Sequence, residues 1–250
     1  MMTDKLIVIT GGSRGIGAAT ARLAASQGYT VCINYLQQAQ VAHSLVASIE
    51  SAGGKALALQ ADVAQEDAVL RMFEQIDALG LRLHALVNNA GILEGQMRVQ
   101  DMTAQRINRV LATNVTGSFL CAREAVLRMS TLRGGQGGAI VNLSSRAAVL
   151  GAPGEYVDYA ASKAAVDAMT IGLSKEVAAE GIRVNAVRPG LIKTDIHASG
   201  GEPARVQRLQ SFVPMQRGGE AAEVAQAVMW LVSDQASYTT GSFVDVAGGR

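Results

Sequence analysis

Tyr159 and Lys163 stand four residues apart in the stretch Tyr159-Ala-Ala-Ser-Lys163. On a helix, a residue and its fourth successor share a face, so this spacing presents a phenol and an ammonium to one pocket. A phenol ordinarily titrates near ~10, and a neighbouring cation moves that value toward neutrality, where general acid–base catalysis works best. The spacing alone favours a surface tyrosine and lysine on an ordinary helix. The catalytic reading therefore depends on the elements that would position the pair.

Leu6-Ile-Val-Ile9, within a strand from Lys5 to Thr10, is a continuous apolar run of the kind a strand buried on both faces requires. It leads into Thr10-Gly-Gly-Ser-Arg-Gly-Ile-Gly17, and Ala18 to Gln27 reads as a helix whose N-terminus would face a pyrophosphate. The glycine spacing departs from the common dinucleotide fingerprint, with three residues between Gly11 and Gly15 and one between Gly15 and Gly17. Strands follow at Thr30 to Tyr35 and Lys55 to Ala61, with helices at Gln38 to Ala52 and Gln65 to Leu79. This alternation predicts right-handed crossovers and a parallel sheet.

His84-Ala-Leu-Val-Asn-Asn-Ala-Gly91 reads as a fourth strand closing on asparagines, which must find hydrogen-bond partners either in the neighbouring strand ends or on a ligand. A long helix from Thr103 to Leu132 is interrupted near Asn114-Val-Thr-Gly117, where a kink or a functional side chain is expected. Ala139 to Ser144 is a fifth strand, with Ser145 at its carboxyl end and a loop through Pro153 leading to the Tyr159 helix. Ile182 to Arg188 is a sixth strand, followed by Pro189-Gly190. Glu220 to Ser233 is the last helix and Ser242 to Val246 the seventh strand. Between them, Leu191 to Gly219 is long and irregular enough to be a flap over a substrate. No linker or repeat divides the chain, and residues 1–250 are expected to form one domain.

Composition narrows the function. Hydrophobic residues make up 49% but aromatics only 4%, so the core is aliphatic, as suits helices laid closely on a parallel sheet. The net charge of +1 offers no field for nucleic acid or an anionic membrane. Cys32 and Cys121 lie in apolar runs and are expected to be buried free thiols. Met1 to Lys5 shows no targeting pattern, and no apolar run approaches the ~18 residues of a membrane span, so a soluble cytoplasmic protein is expected. No metal is expected.

Thr10-Gly11 with Gly15 and Gly17, Asn88-Asn-Ala-Gly91, Asn114, Ser145, Tyr159 with Lys163, and Pro189-Gly190 together closely resemble the short-chain dehydrogenase/reductase family, in its order and roughly its spacing, over the whole chain. The resemblance implies a doubly wound α/β domain of Rossmann type with a seven-stranded parallel sheet, helices on both faces, and a homotetramer. It implies catalytic roles for four residues. Ser145 holds the substrate oxygen, Tyr159 gives or takes the proton, Lys163 binds the nicotinamide ribose and lowers the tyrosine pKa, and Asn114 holds a relay water. It places Gly11, Ser13, Arg14, Gly15, Ile16 and Gly17 around the cofactor, with Asn34 and Tyr35 near the adenosine ribose. Asp62 and Val63 come beside the adenine, Asn89, Ala90 and Gly91 after strand four, and Pro189, Gly190, Ile192 and Thr194 near the carboxamide. Ser144 is the neighbour most easily confused with Ser145.

Strand two ends Asn34-Tyr35 with no carboxylate to repel a 2'-phosphate, and Arg14 supplies a positive charge, so NADP(H) is preferred and NAD(H) possible. The substrate is read as a small ketone, aldehyde or sugar and its alcohol, with Val149, Leu150, Pro153, Tyr156, His197 and Phe212 as pocket walls. The alternative is reduction of 3-oxoacyl groups on acyl carrier protein. Relatives of that kind tend to carry a basic residue before the glycine ending the catalytic helix, whereas this chain has Glu180 before Gly181. A non-catalytic NADP(H)-binding regulator would have no need of Ser145, Tyr159 and Lys163 together. A methyltransferase would usually keep an acid at the end of strand two.

Overall fold

The computed structural model describes residues 5–250; the N-terminal stretch read above for a targeting pattern falls, up to residue 4, outside the described residues. Seven strands form one sheet: β1 (Lys5–Ile9), β2 (Thr30–Tyr35), β3 (Lys55–Gln60), β4 (Arg82–Asn88), β5 (Gly138–Leu143), β6 (Ile182–Pro189) and, last in the chain, β9 (Phe243–Val246). Their order is β3-β2-β1-β4-β5-β6-β9, and every neighbouring pair is parallel. The order reverses between β1 and β4, and the crevice outside their carboxyl ends is where an open α/β sheet takes a ligand.

Leu6, Ile7, Val8 and Ile9 are all fully buried because β1 is covered on both sides. Side chains alternate along a strand. Ile7 and Ile9 therefore pack with Ala21 of α1 (Gly15–Ser26), Leu45 of α2 (Ala39–Ser51) and Val228 of α10 (Ala221–Val232). Leu6 and Val8 pack with Phe73 of α3 (Glu66–Asp77), Cys121 of α5 (Gly117–Met129) and Met169 of α7 (Val157–Val177). Both cysteines are free and buried, and burial pushes both thiols up to about 12.

The expected break in the long helix takes a definite form. α4 (Ala104–Leu111) passes through a π-turn over Ala112–Thr116 before continuing as α5. Gly117 is there for packing, since a Cβ would lie 2.8 Å from Val63 Cγ2. The loop after β5, expected to be irregular through Pro153, contains a short helix, α6 (Ala147–Leu150).

Residues 191–219 are more ordered than expected. They leave the sheet at β7 (Ile192–Lys193), carry α8 (Ile196–Ser199) and α9 (Arg205–Leu209), and return at β8 (Gly219–Glu220). β7 and β8 pair in parallel, so the excursion is pinned where it starts and ends. Leu191, Val206, Leu209 and Val213 give it a small core of its own. α10 begins one residue later than expected because Glu220 is the N-cap of a capping box with Glu223, whose side chain accepts the Glu220 N–H at 2.8 Å. Among the described residues, no helix is long and apolar enough to cross a membrane.

Candidate active site

At the carboxyl ends of β4 and β5 the asparagines tie the sheet together. Asn88 Nδ2 donates to Asn142 Oδ1 at 3.0 Å, and Asn142 Nδ2 donates to Thr170 Oγ1 on α7 at 2.9 Å. Asn89 Nδ2 donates to the Thr10 and Gly11 carbonyls, both at 2.9 Å, while Thr10 Oγ1 accepts the Asn89 and Ala90 N–H groups at 3.0 Å. The close approach explains Gly17, where a Cβ would sit 2.6 Å from Asn89 Nδ2. These bonds hold the loop after β1 and the loop after β4 at one crevice.

Asn114 is fully buried on the π-turn. Its Nδ2 donates to the Ile92 carbonyl at 3.1 Å and to Ser162 Oγ at 3.0 Å, and its Oδ1 accepts the Ile92 N–H at 2.8 Å. Both amide hydrogens are thus engaged, and the carboxamide clamps the loop after β4 to α7. Sequence reading suspected this residue without foreseeing the clamp.

α7 runs under the crevice and brings Tyr159 and Lys163 to it on one face. Lys163 is buried, its Nζ lies 5.6 Å from the Tyr159 ring centroid, and it donates to the Leu143 carbonyl at 2.7 Å. Burial pushes the ammonium down to about 8, opposed by the Asp167 carboxylate. The Tyr159 phenol behaves differently from the expectation: burial pushes it up to about 12, and the opposing influence is a hydrogen bond with Ser145 rather than the lysine. The physical reason is that a desolvated phenolate is unfavourable, while Lys163 directs its proton donor to Leu143.

The structure separates the two adjacent serines. Ser144 Oγ donates to the Lys163 carbonyl at 3.2 Å, whereas Ser145 Oγ accepts the Ala147 N–H at 3.1 Å and lines the same cavity as Tyr159. α6 therefore sets the Ser145 rotamer, an effect of the short helix that spacing alone does not reveal.

These groups line a cavity of about 500 Å³ that also takes in Ile16, Asn89, Gly91, Pro189, Gly190, Ile192 and Thr194. No side chain caps the start of α1, so its first N–H groups face the crevice unengaged by a protein cap, as an anion site at a helix N-terminus requires. Gly91 leaves room beside Lys163 Nζ, 3.4 Å from where a Cβ would be. The residues present therefore fit a dinucleotide, with Ile16, Gly91, Gly190, Ile192, Thr194 and Lys163 along its path.

The other residues expected at the cofactor do not line this cavity. Asn34 and Tyr35, expected near the adenosine ribose, are buried with their side chains engaged by protein. Asn34 accepts the Gly11 N–H at 3.2 Å and donates to the Ala61 carbonyl at 3.0 Å, and the Tyr35 ring packs edge-on to His43. Asp62 accepts the Ala64 N–H at 2.9 Å in its own turn, and Val63 is buried under Gly117. Arg14, at the N-cap of α1, is exposed, and Ser13 precedes it in the same turn. Leu150, Pro153, Tyr156 and His197 line the cavity as expected, but Val149 and Phe212 do not and are 54% and 74% exposed. The carbonyl of Ile192 accepts from His197 Nε2 at 2.8 Å, and burial lowers the pKa of this imidazole.

Sequence reading missed the charged rim. Glu155 pairs with Arg205 at 2.5 Å, Arg205 with Glu202 at 3.1 Å, and Arg208 with both carboxylates. Tyr156 Oη donates to the Gly200 carbonyl at 3.2 Å, and Gln96 Nε2 donates to Glu202 at 2.6 Å. Segment 191–219 is thereby fastened to the loops after β4 and after α6. Oppositely charged residues at 155, 202, 205 and 208 were the available signal, but nothing local shows that they meet.

A crevice at a topological switch point that pairs an uncapped helix start with a half-buried phenol and a buried ammonium suits nicotinamide-dependent redox chemistry. Comparison with known proteins gives the same class. Residues 11–250 match the family described as "Enoyl-(Acyl carrier protein) reductase". The chain is 63% identical over 245 residues to the "Uncharacterized oxidoreductase YgfF" of Escherichia coli (strain K12), covering 98% of this chain and 99% of that protein. It is 37% identical over 249 residues to "3-oxoacyl-[acyl-carrier-protein] reductase FabG" of Staphylococcus aureus, covering 100% and 99%. A short-chain dehydrogenase/reductase from Serratia marcescens superposes with a TM-score of 0.91 at 31% identity, covering 99% of this chain and 98% of that one. The chain belongs to the short-chain dehydrogenase/reductase family and is an NAD(P)-dependent oxidoreductase of Rossmann-type α/β fold.

Proposed function

We propose that this enzyme, acting as one domain per chain, interconverts a small carbonyl compound (a ketone, aldehyde or sugar) and its alcohol, with NADP(H) as preferred cofactor. The observation that carries the reading is that Ser145, Tyr159 and buried Lys163 line one cleft together. A nicotinamide, when bound, supplies or accepts the hydride. Ser145 Oγ holds the substrate oxygen, and Tyr159 Oη gives its proton to that oxygen on reduction. A phenol near 12 stays protonated at neutral pH, which suits this direction. Lys163 holds the nicotinamide ribose and, on that approach, favours the phenolate left behind. Asn114 braces the loop that carries Gly91: its carboxamide is engaged by Ile92 and Ser162, and its main-chain oxygen accepts from Ser118 Oγ at 2.9 Å.

The NADP preference is supported by the absence of a carboxylate at the end of β2 and by the exposed Arg14. Segment 191–219 covers the substrate end, and the chain works as a homotetramer in the cytoplasm. Reduction of 3-oxoacyl groups on a carrier protein, the activity named for the staphylococcal relative, is the second reading; Glu180 opposes an acidic partner there. The test is a panel of ketones, aldehydes, sugars and 3-oxoacyl thioesters with both nicotinamide cofactors. Tyr159→Phe is expected to abolish turnover while NADPH affinity, read by its fluorescence, stays within a few-fold. Turnover near wild type in that variant refutes the acid–base assignment. Binding of NADPH with no turnover of any substrate in the wild type favours a regulator.

A further inference from the structure

The charged residues around the cleft are not evenly compensated. Arg146 is neutralised by Asp245 at 2.5 Å, and Arg205 by Glu155 and Glu202. Arg250 lines the same cavity and is half-buried, yet its guanidinium has no hydrogen bond and no carboxylate among the described residues. Its main chain is held in place: the Arg250 oxygen accepts from Arg146 Nε at 2.7 Å, and its N–H donates to the Ala247 carbonyl at 3.3 Å. Arg146 immediately follows Ser145, so this anchor sets Arg250 at the wall carrying the serine.

We propose that Arg250 is a specificity-determining residue that selects carbonyl substrates bearing an anionic group, a carboxylate or a phosphate, a few bonds from the reacting carbon. A half-buried guanidinium with all its donors free gains most from an acceptor carrying full charge, because charge-assisted bonds are roughly twice as strong as neutral ones. Its planar fork matches the two oxygens of a carboxylate or phosphate. Lys163, the remaining cation of the cleft without an ion pair, donates to Leu143 and is assigned above to the nicotinamide ribose, so Arg250 is the group left to meet such an anion. A substrate of this kind would lay its carbonyl oxygen on Ser145 and Tyr159 and its anion against Arg250. A carrier-bound thioester offers no charge at that distance, so the inference also separates the two readings of the substrate. It rests on the assignment of Ser145 and Tyr159 as the carbonyl-oxygen site.

The experiment compares matched pairs on wild type, Arg250→Met and Arg250→Lys: acetoacetate with methyl acetoacetate, and dihydroxyacetone phosphate with dihydroxyacetone. Wild type is expected to favour the charged member of at least one pair by tenfold or more in kcat/KM, and which pair shows it decides between carboxylate and phosphate. Arg250→Met lowers that ratio at least tenfold and Arg250→Lys restores part of it. Equal turnover of charged and neutral members by wild type overturns the proposal, as does an equal loss on both members in Arg250→Met. If no member is turned over, the same pairs are titrated calorimetrically into NADPH-saturated protein. Charged members that bind no better than neutral ones overturn the anion site, whereas selective binding without turnover upholds it and leaves the Tyr159 assignment to the substrate panel and Tyr159→Phe.

Discussion

Replacing Arg106 by leucine strands a carboxylate beside Tyr159. Arg106 on α4 donates through Nε to Asp158 Oδ2 at 2.7 Å and through Nη2 to Oδ1 at 3.3 Å, and through Nη1 to the Gly95 carbonyl at 2.5 Å. The two side chains are 8% and 2% exposed. Asp158 in turn accepts the Tyr159 N–H at 2.9 Å, so this pair sets the first turn of α7 and the loop over the cleft together. Two unit charges about 4 Å apart attract by about 4 kcal/mol at an effective dielectric of about 20. Loss of one partner leaves the other buried and unpaired, and the expected destabilisation is about 3–5 kcal/mol. For a chain of this length that corresponds to a fall of about 10 °C in melting temperature. Urea denaturation of Arg106→Leu, Asp158→Leu and the double variant at fixed protein concentration measures it. The double variant is expected to recover more than half of the single loss, because an apolar pair of similar volume replaces a buried ion pair at little net cost. A single-variant loss below about 1 kcal/mol, or a double variant as unstable as the sum of the singles, refutes the argument.

Two further outcomes follow from the same geometry. Lys163 falls from 10.5 to about 8 on folding, so between those values the unfolded chain holds the proton that the folded chain has released, and this group's contribution to stability rises with pH through that window. Asp167, one turn along α7 and paired with Arg188 at 2.8 Å, is the carboxylate that opposes the fall. Asp167→Asn is expected to move the Lys163 midpoint below about 8, read from the lysine resonances in an NMR titration; an unchanged midpoint shows that the carboxylate does not act on the ammonium. Gly17→Ala places a Cβ against Asn89 Nδ2 and the Gly12 main chain, and is expected to weaken NADPH binding at least tenfold in a fluorescence titration and lower the melting temperature. Wild-type affinity in that variant contradicts the close packing of the two loops.

Much of the sheet was legible because its signals are local. A short apolar run such as Leu6 to Ile9, closed by a glycine loop, suits a strand covered on both faces, and β2 appears within the limits read from sequence. Tyr159 and Lys163 could be paired because helical geometry fixes what four residues of separation means. Ser145 was preferred to Ser144 on the family pattern, but the different contacts of the two serines were not legible, since those of Ser145 depend on α6, whose four residues carry no periodic pattern. Neither was the side-chain fate of Asn34, whose partners at Gly11 and Ala61 come from two other segments. Val149 and Phe212 were misplaced as pocket walls because apolar character does not tell which way a loop residue faces.

Periodicity, glycine placement and residue chemistry thus determined, from the chain alone, a parallel α/β sheet with a nucleotide crevice and a tyrosine–lysine couple. Only the tertiary structure decided the protonation of that couple, the clamp made by Asn114, and the compensation of charges around the cleft. Burial and the approach of groups distant in sequence set those properties: a phenol is pushed to about 12 by the surroundings that desolvate it, not by its neighbours along the helix.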